Sequence, residues 1–309
     1  MNKNILYVFF GALIEYSLNP LFVYMKEQGY NCVEITLKTC SDMKKEILAL
    51  NAKENIFITS AHVFIDETCK IYQNTSFNLS ALEAMDILRP VKSIYYPHDI
   101  STLVHENDTP WLNSIFDIIL FPMDGYAHLA CNGKPVYNVG WIKKNNKLDE
   151  GTRFTVGHGV SDLLHYKTIT GFDHMYNIFK EIWGQGVIVK GTNKGHHKIW
   201  EKYIIKYLDS SNSIFDLINT CEIMLTNALT SVTLEAALSG RFTVNMLDGI
   251  FDRAEHEKYF KGVPSLKLMT IEETADLLKA YYKGDFIPEQ GEDILKPFDF
   301  KRAVELITS

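Results

Sequence analysis

Polar side chains that could hold a phosphorylated nucleoside lie close together in the second half of the chain. Thr230 precedes a short segment whose apolar spacing predicts a helix. Ser231 opens this segment, and Glu235 follows Ser231 by four residues on the same helix face. Unpaired amides and the positive end of the dipole favour an anion at a helix amino terminus. The two hydroxyls could donate to a phosphate and Glu235 could accept from ribose hydroxyls. The pattern predicts a nucleoside diphosphate site, although a solvated polar helix face has the same pattern.

Two predicted strands flank this helix. Ile223–Thr226 and Arg241–Asn245 are short apolar runs, and Gly240 is a stop signal before the second. If residues 227–230 form the turn, the apolar side chains of the helix pack inward, opposite the polar face. The sequence therefore predicts the order strand, turn, helix, strand.

Two histidines are candidates for moving a proton. His98 and Asp99 follow Tyr96-Pro97, and the proline predicts that the chain leaves its strand there and presents both side chains in a loop. His158 lies between two glycines. Because a neutral imidazole can take a proton near pH 7, either histidine could serve as a general base. A satisfied or solvated histidine without a site role is the alternative for each.

Lys190 or Arg241 could neutralise the charge of a diphosphate, a task that a metal ion performs in other proteins. The sequence contains no Asp-x-Asp motif, and the adjacent His196 and His197 point apart on a regular element. No metal site is therefore predicted.

The composition narrows the class of protein. The 309 residues are 46% apolar and carry a net charge of −7 without a long basic run, which argues against a nucleic-acid partner. Five scattered cysteines without a Cys-x-x-Cys pair suggest neither a disulfide framework nor a zinc ribbon, so a cytoplasmic protein is expected. The apolar run from Ile5 ends at Glu15 and predicts a buried strand, not a signal peptide. Membrane contact, if any, is expected to be peripheral.

Apolar runs of strand length alternate with helical patterns along the chain, which is typical of parallel-sheet α/β domains. In the first half, strands are predicted at 5–10, 32–37, 55–59 and 116–121, and within 92–99, where the strand ends in a polar loop. Helices are predicted at 20–28, 41–51 and 80–88. In the second half, strands are predicted at 153–157, 186–190, 223–226 and 241–245, and helices at 173–183, 213–220, 270–284 and 298–307.

The change from apolar to polar and basic residues after position 140 predicts a boundary between two domains. The predicted parts are an amino-terminal domain at 1–140, a linker at 141–152, a nucleotide-binding domain at 153–290, and a carboxyl-terminal helix at 291–309 that could pack back on the first domain.

The run Thr233–Val244, Thr-Leu-Glu-Ala-Ala-Leu-Ser-Gly-Arg-Phe-Thr-Val, resembles the Leu-Glu-Ala-x-Ala-x-Gly-x-Pro-Val segment of GT-B-fold glycosyltransferases. It is also similar to the corresponding segment of CDP-glycerol glycerophosphotransferases and, more weakly, of non-hydrolysing UDP-N-acetylglucosamine 2-epimerases. Residues 154–159 lie where these enzymes open the second domain with a strand and a glycine-rich loop, and 187–191 resemble their next strand. The resemblance implies two Rossmann-like, doubly wound parallel-sheet domains facing a cleft.

The resemblance also implies roles for individual residues, with Glu235 holding the ribose of the donor nucleotide. The predicted donor-binding residues are Gly157, Gly159, Lys190, Asn227, Thr230, Ser231 and Glu235, and the predicted catalytic residues are His98, Asp99 and His158. Two positions depart from the pattern. Asn227 stands where many retaining glycosyltransferases carry the first glutamate of Glu-x7-Glu, and Phe242 replaces the usual proline. Whether the transferred sugar keeps its configuration is therefore open.

The expected function is transfer of a sugar from a UDP-, GDP- or CDP-linked donor to a cell-surface glycan or glycolipid, without a metal or other cofactor. Two alternatives are a transferase of polyol phosphate from a CDP donor and a non-catalytic nucleotide-binding subunit. A glycolipid acceptor would bring the protein to the inner face of the membrane.

Overall fold

The computed structural model describes residues 5–37, 55–59, 91–97, 100, 116–123, 135–144, 156–160, 180, 182–191, 206–208, 213–247, 249 and 251–309. The chain forms two compact units. The first unit contains Met1–Lys144 and Lys296–Ser309, and the second contains Asn145–Leu295. The chain thus leaves the first unit after Lys144 and returns to it at Lys296.

The first unit is built on a six-stranded sheet. Its strands are β1 (Ile5–Phe10), β2 (Cys32–Leu37), β3 (Ile56–Thr59), β4 (Lys92–Tyr95), β5 (Ile118–Phe121) and β6 (Val136–Asn138). They lie in the order β2-β1-β3-β4-β5-β6, and every neighbouring pair is parallel. The five strands predicted in this half are confirmed, while β6 was not among them.

Helix α1 (Gly11–Glu27) follows β1 directly and contains Pro20 in its interior. The predicted start at Pro20 is therefore wrong. Proline removes one hydrogen bond and costs about 3 kcal/mol inside a helix. Leu18, Leu21 and Phe22 are fully buried around it. Burying each of these side chains contributes about 1.5–3 kcal/mol, which offsets the cost of the proline.

The carboxyl-terminal segment completes the first unit. Trp141 N–H donates to the Lys296 carbonyl at 2.8 Å, on the path by which the chain returns. Helix α2 (Phe300–Thr308) then packs against α1, with the Phe300 and Tyr24 rings 5.3 Å apart. At the end of α2, Lys92 Nζ donates to the Leu306 carbonyl at 3.3 Å, so the helix is also tied to β4.

The second unit is built on a five-stranded sheet. Its strands are β7 (Val156–Val160), β8 (Ile188–Gly191), β9 (Ile223–Asn227), β10 (Phe242–Leu247) and β11 (Leu266–Thr270). They lie in the order β11-β10-β9-β7-β8, again with parallel neighbours throughout. Strand β7 begins three residues after its predicted start, and β11 was not predicted. With two wholly parallel sheets, the predicted pair of α/β domains is confirmed.

Four helices of the second unit lie within the described residues. They are α3 (Ile214–Thr220), α4 (Ser231–Leu238), α5 (Arg253–Tyr259) and α6 (Ile271–Lys283). The spacing of Ser213 with Asp216 and of Thr270 with Glu273 predicts a capping box at the start of two of these helices, and both boxes are present. Helix α6 ends at Gly284, whose φ of 81° is the left-handed conformation that glycine adopts without strain. Among the described residues no helix is long and apolar enough to cross a membrane.

Candidate functional site in the second unit

The strand order of the second sheet fixes where a crevice for a ligand forms. From β7 the chain passes to β8 on one side, and it then returns to β9 on the other side of β7. Such a reversal is called a topological switch point. The connections after the two adjacent strands run to opposite sides there, and ligands of α/β proteins bind in the crevice beyond the strands' carboxyl ends. In this unit that position lies beyond Val160 of β7 and Asn227 of β9.

The turn between β9 and α4 occupies this position. Strand β9 ends at Asn227, and the hydroxyl oxygen of Thr230 caps α4 by accepting from Val232 N–H at 3.4 Å. Between them Ala228 has a φ of 56°, in the left-handed region. That conformation costs an L-residue about 1–2 kcal/mol, so the surrounding structure must hold the turn in place. The half-buried Ser231 opens the helix beside the capped amides.

Glu235 lies one turn into α4 and is only 2% exposed. The predicted amphipathic pattern of this helix is wrong, because all residues from Thr233 to Leu238 are buried. An ionised carboxylate costs several kcal/mol to bury unless it is hydrogen-bonded. Glu235 is the one charged residue of α4, and it lies in the interior beside the switch point.

The register of the sheet divides the site residues between its two faces. Lys190, Gly159, Thr226 and Asn245 lie at one register level. Side chains at one level project to the same face, and Asn245 Nδ2 identifies it as the α4 face because it donates to Thr233 Oγ1 of α4 at 3.0 Å. His158, one residue before Gly159, therefore projects to the opposite face.

His158 is fully buried, and both of its ring nitrogens are bonded within the unit. Trp183 Nε1 donates to His158 Nδ1 at 2.9 Å, so Nε2 carries the hydrogen and donates to Asn227 Oδ1 at 3.3 Å. Burial lowers the pKa of His158 from 6.5 to about 4, and the bond to Asn227 opposes this shift in part. The ring is therefore neutral at pH 7 and orients the last residue of β9. The predicted contact of His158 with substrate stays a prediction, and it would require one of these bonds to break.

Gly157 and Gly159 lie inside β7, so the predicted glycine-rich loop is wrong. A Cβ atom at Gly157 would lie 2.7 Å from the Leu217 side chain of α3. A Cβ atom at Gly159 would lie 2.8 Å from Val232 Cγ1 of α4. Both glycines therefore allow helices to approach the strand closely, which is what places the amino terminus of α4 beside β7.

Of the two cations considered for the diphosphate, only Lys190 lies towards the carboxyl edge of the sheet. It is buried, and it pairs in register with Gly159. Arg241 precedes β10, at the amino edge, and its guanidinium donates to the Asn219 carbonyl at 3.3 Å. The described residues include no group of three or more His, Cys, Asp and Glu side chains placed to hold a metal ion.

The other predicted catalytic residues belong to the first unit. Strand β4 ends at Tyr95, as the proline predicted, and the fully buried Tyr96 bridges two backbone groups. Its hydroxyl donates to the Gly140 carbonyl and accepts from Ile142 N–H, both at 2.9 Å. His98 and Asp99 lie outside the described residues, so their predicted role is unchanged.

Three polar residues of the second unit were not predicted to belong to the site. Trp183 bonds to His158, Asn245 bonds to the Ala228 carbonyl of the turn, and His256 bonds to Asn245. Asn245 carried a usable signal, because an amide side chain inside an apolar strand must find partners within the protein. Trp183 lies 25 residues from His158 and His256 lies 11 residues from Asn245, and no local pattern in the sequence pairs them.

Neither a family profile nor a curated protein sequence matches this chain. Solved structures match it over nearly its whole length. UDP-bound MnaA of S. aureus is 13% identical with a TM-score of 0.57, covering 99% of this chain and 96% of that one. A Listeria monocytogenes protein assigned as a UDP-N-acetylglucosamine 2-epimerase is 11% identical with a TM-score of 0.57, covering 99% and 95%. The glycosyltransferase SnogD from Streptomyces nogalater is 10% identical with a TM-score of 0.53, covering 99% of each chain.

Each match covers both units. The likeness therefore includes two successive parallel-sheet units, and not only one α/β domain. The predicted GT-B fold is thereby confirmed. The fold is common to a glycosyltransferase and to a protein assigned as an epimerase.

Proposed function

We propose that this protein is a glycosyltransferase that moves a sugar from a nucleotide-activated donor to a glycan or glycolipid acceptor of the cell surface. The observation that carries the proposal is the GT-B fold over 99% of the chain, shared with a glycosyltransferase. The turn at the switch point of the second unit supports the proposal, because a helix amino terminus and two hydroxyl groups are suited to binding a diphosphate. The proposal is for a UDP-, GDP- or CDP-linked donor.

The diphosphate is proposed to lie at the amino terminus of α4. Thr230 uses its oxygen to cap the helix, which leaves its hydroxyl hydrogen to donate to a phosphate, and Ser231 supplies a second hydroxyl. Glu235 lies about 6 Å beyond Ser231 along the helix axis. A ribose joined to the diphosphate would lie about that far from the phosphates, and Glu235 is proposed to accept hydrogen bonds from the ribose hydroxyls. Lys190 is proposed to offset the charge of the leaving diphosphate, so that the reaction needs no metal.

The proposed base is His98, which follows β4 of the first unit, with Asp99 beside it to raise its basicity. In the transfer, the acceptor oxygen forms a bond to the anomeric carbon while the bond from that carbon to the diphosphate breaks. The acceptor's proton passes to the imidazole, and the nucleoside diphosphate leaves with the electron pair. A positioned general base contributes about 10²–10⁴-fold to such a rate.

A second candidate function is isomerisation of a UDP-linked sugar. The structural likeness to the protein assigned as a 2-epimerase favours it, with a TM-score of 0.57. The product of an isomerase would be a changed sugar that is still bonded to the diphosphate, so no free nucleotide would accumulate. Transferase and isomerase therefore differ in their products.

Incubation with UDP-, GDP- and CDP-linked sugars tests the proposal, with glycan and glycolipid acceptors present in turn and with EDTA in a parallel series. We expect acceptor-dependent release of one nucleoside diphosphate at an undiminished rate in EDTA. Conversion of the donor sugar without nucleotide release would establish the isomerase instead. Release of CMP from CDP-glycerol would indicate a polyol-phosphate transferase, and tight nucleotide binding without turnover would indicate a binding subunit.

The proposed acceptor also has a consequence for location. A glycolipid acceptor would bring this protein to the inner face of the membrane as a peripheral protein. Flotation with vesicles that contain the lipid acceptor should then recover the protein, whereas vesicles of phosphatidylcholine alone should not. Equal recovery with both vesicles would contradict the proposed glycolipid.

A further inference from the structure

Buried polar side chains form a chain of hydrogen bonds beneath the turn that opens α4. Thr226, Thr233, Asn245 and His256 are each 0% exposed. They come from four different elements, namely β9, α4, β10 and α5. Buried polar groups are costly unless they are bonded, and these four bond to one another. Each therefore restricts the position of the next.

The direction of the bonds follows from the groups that can only accept. Asn245 Nδ2 lies 3.0 Å from the Ala228 carbonyl oxygen and 3.0 Å from Thr233 Oγ1. Since a carbonyl only accepts, the amide nitrogen of Asn245 must face Ala228, and its Oδ1 must face His256. His256 Nδ1 lies 2.7 Å from that oxygen and must therefore carry a hydrogen.

The two threonines extend the chain in the same direction. Thr233 Oγ1 donates to Thr226 Oγ1 at 2.9 Å, and Thr226 Oγ1 donates to the Val244 carbonyl at 3.3 Å. Thr233 therefore has its oxygen free to accept from Asn245. The chain of donors thus runs from His256 through Asn245 to the threonines and ends on backbone.

The bond from Asn245 reaches the strained residue of the site. Ala228 is left-handed, with a φ of 56°, and it lies two residues before the Thr230 cap. Holding its carbonyl fixes the peptide plane that joins Ala228 to Leu229. The direction in which the chain enters α4 depends on that plane, and so does the direction of the first amides of the helix.

We infer that Asn245, oriented by His256, is a positioning residue for the diphosphate site: it holds the Ala228 turn so that the amino terminus of α4 and the Thr230 hydroxyl converge on the phosphates. The identity of the ligand rests on the proposed function, whereas the geometry of the turn does not. Neither Asn245 nor His256 needs to touch the nucleotide.

Two amide substitutions at position 256 separate positioning from packing. The amide nitrogen of asparagine can occupy the place of histidine Nδ1, whereas that of glutamine reaches the place of Nε2. His256→Asn therefore keeps the donor to Asn245 and His256→Gln removes it. Asn245→Leu removes the amide while preserving its approximate volume.

Calorimetry with UDP and with uridine, or with the GDP or CDP pair if wild type prefers it, measures the effect. We expect the dissociation constant for the diphosphate to rise roughly tenfold in His256→Gln and Asn245→Leu, the cost of about one hydrogen bond. His256→Asn should stay within about twofold of wild type, and uridine affinity should not change in any variant. Equal behaviour of the two amides at position 256, or equal loss of uridine and UDP, would overturn the inference.

Hydrogen exchange over residues 226–233 tests the geometry without a nucleotide. Exchange should be faster in His256→Gln than in His256→Asn, and identical exchange in these two variants would refute the positioning role. If wild type binds none of the nucleotides, the proposed function fails while this comparison still decides the inference. Should His256→Gln not fold, Thr233→Val removes the oxygen that receives the Asn245 donor and should give the same accelerated exchange.

Discussion

Replacement of His158 should change how the stability of the second unit responds to acid. His158 is neutral and fully buried, with a pKa lowered from 6.5 to about 4. In the unfolded chain the imidazole takes up a proton near pH 6.5, whereas in the folded unit it resists protonation until about pH 4. Stability from this group is therefore present above pH 6.5 and is lost as the pH falls towards 4.

The size of the effect follows from the two pKa values. At pH 5 the unfolded imidazole is largely protonated and the folded one largely neutral, so folding is opposed by 1.36 kcal/mol for each pH unit below 6.5. The loss between pH 7 and pH 5 is thus about 2 kcal/mol. Such a loss is a large fraction of the stability of an ordinary domain.

His158→Gln is the matched variant, because the glutamine amide can reach the place of Nε2 and donate to Asn227 but does not titrate. Denaturant unfolding at pH 7 and at pH 5 gives the free energy of unfolding of both proteins. Groups that titrate in both cancel in the difference, so wild type should lose about 2 kcal/mol more than the variant. A parallel loss in the two proteins, or an NMR titration of His158 with a midpoint above pH 6, would refute the assignment of a buried neutral ring.

Three further predictions concern the site. Glu235→Ala should weaken donor binding by about 1.5–3 kcal/mol, the cost of losing a charged hydrogen-bond partner, and unchanged affinity by calorimetry would contradict the ribose role. Gly159→Ala should destabilise the protein by about 1–3 kcal/mol in denaturant unfolding, because its Cβ would lie 2.8 Å from Val232 Cγ1; equal stability would contradict the close approach. His98→Ala should lower turnover by ~10²–10⁴ with donor affinity unchanged, whereas near wild-type turnover would remove it as the base.

Local signals in the sequence determined most of the fold. Each strand predicted in the first half is present, and so are the capping boxes of α3 and α6, because strand runs and caps depend on neighbouring residues. The same signals predicted the turn before α4, whereas the cap by Thr230 was not predicted. The error at Pro20 has a tertiary cause: burial of the apolar side chains around it outweighs a local stop signal.

Only the tertiary structure decided how the site is arranged. Periodicity places Glu235 on a polar helix face, but other elements cover that face and leave it 2% exposed. His158 meets Trp183 and Asn227 because the sheet brings β7 beside β9, which are separated by more than sixty residues of sequence. Register between distant strands sets which face each side chain occupies, and no local pattern encodes it. The residue types of the site could therefore be identified from the sequence. Their burial, their hydrogen-bond partners and their division between the two faces of the sheet were determined by packing.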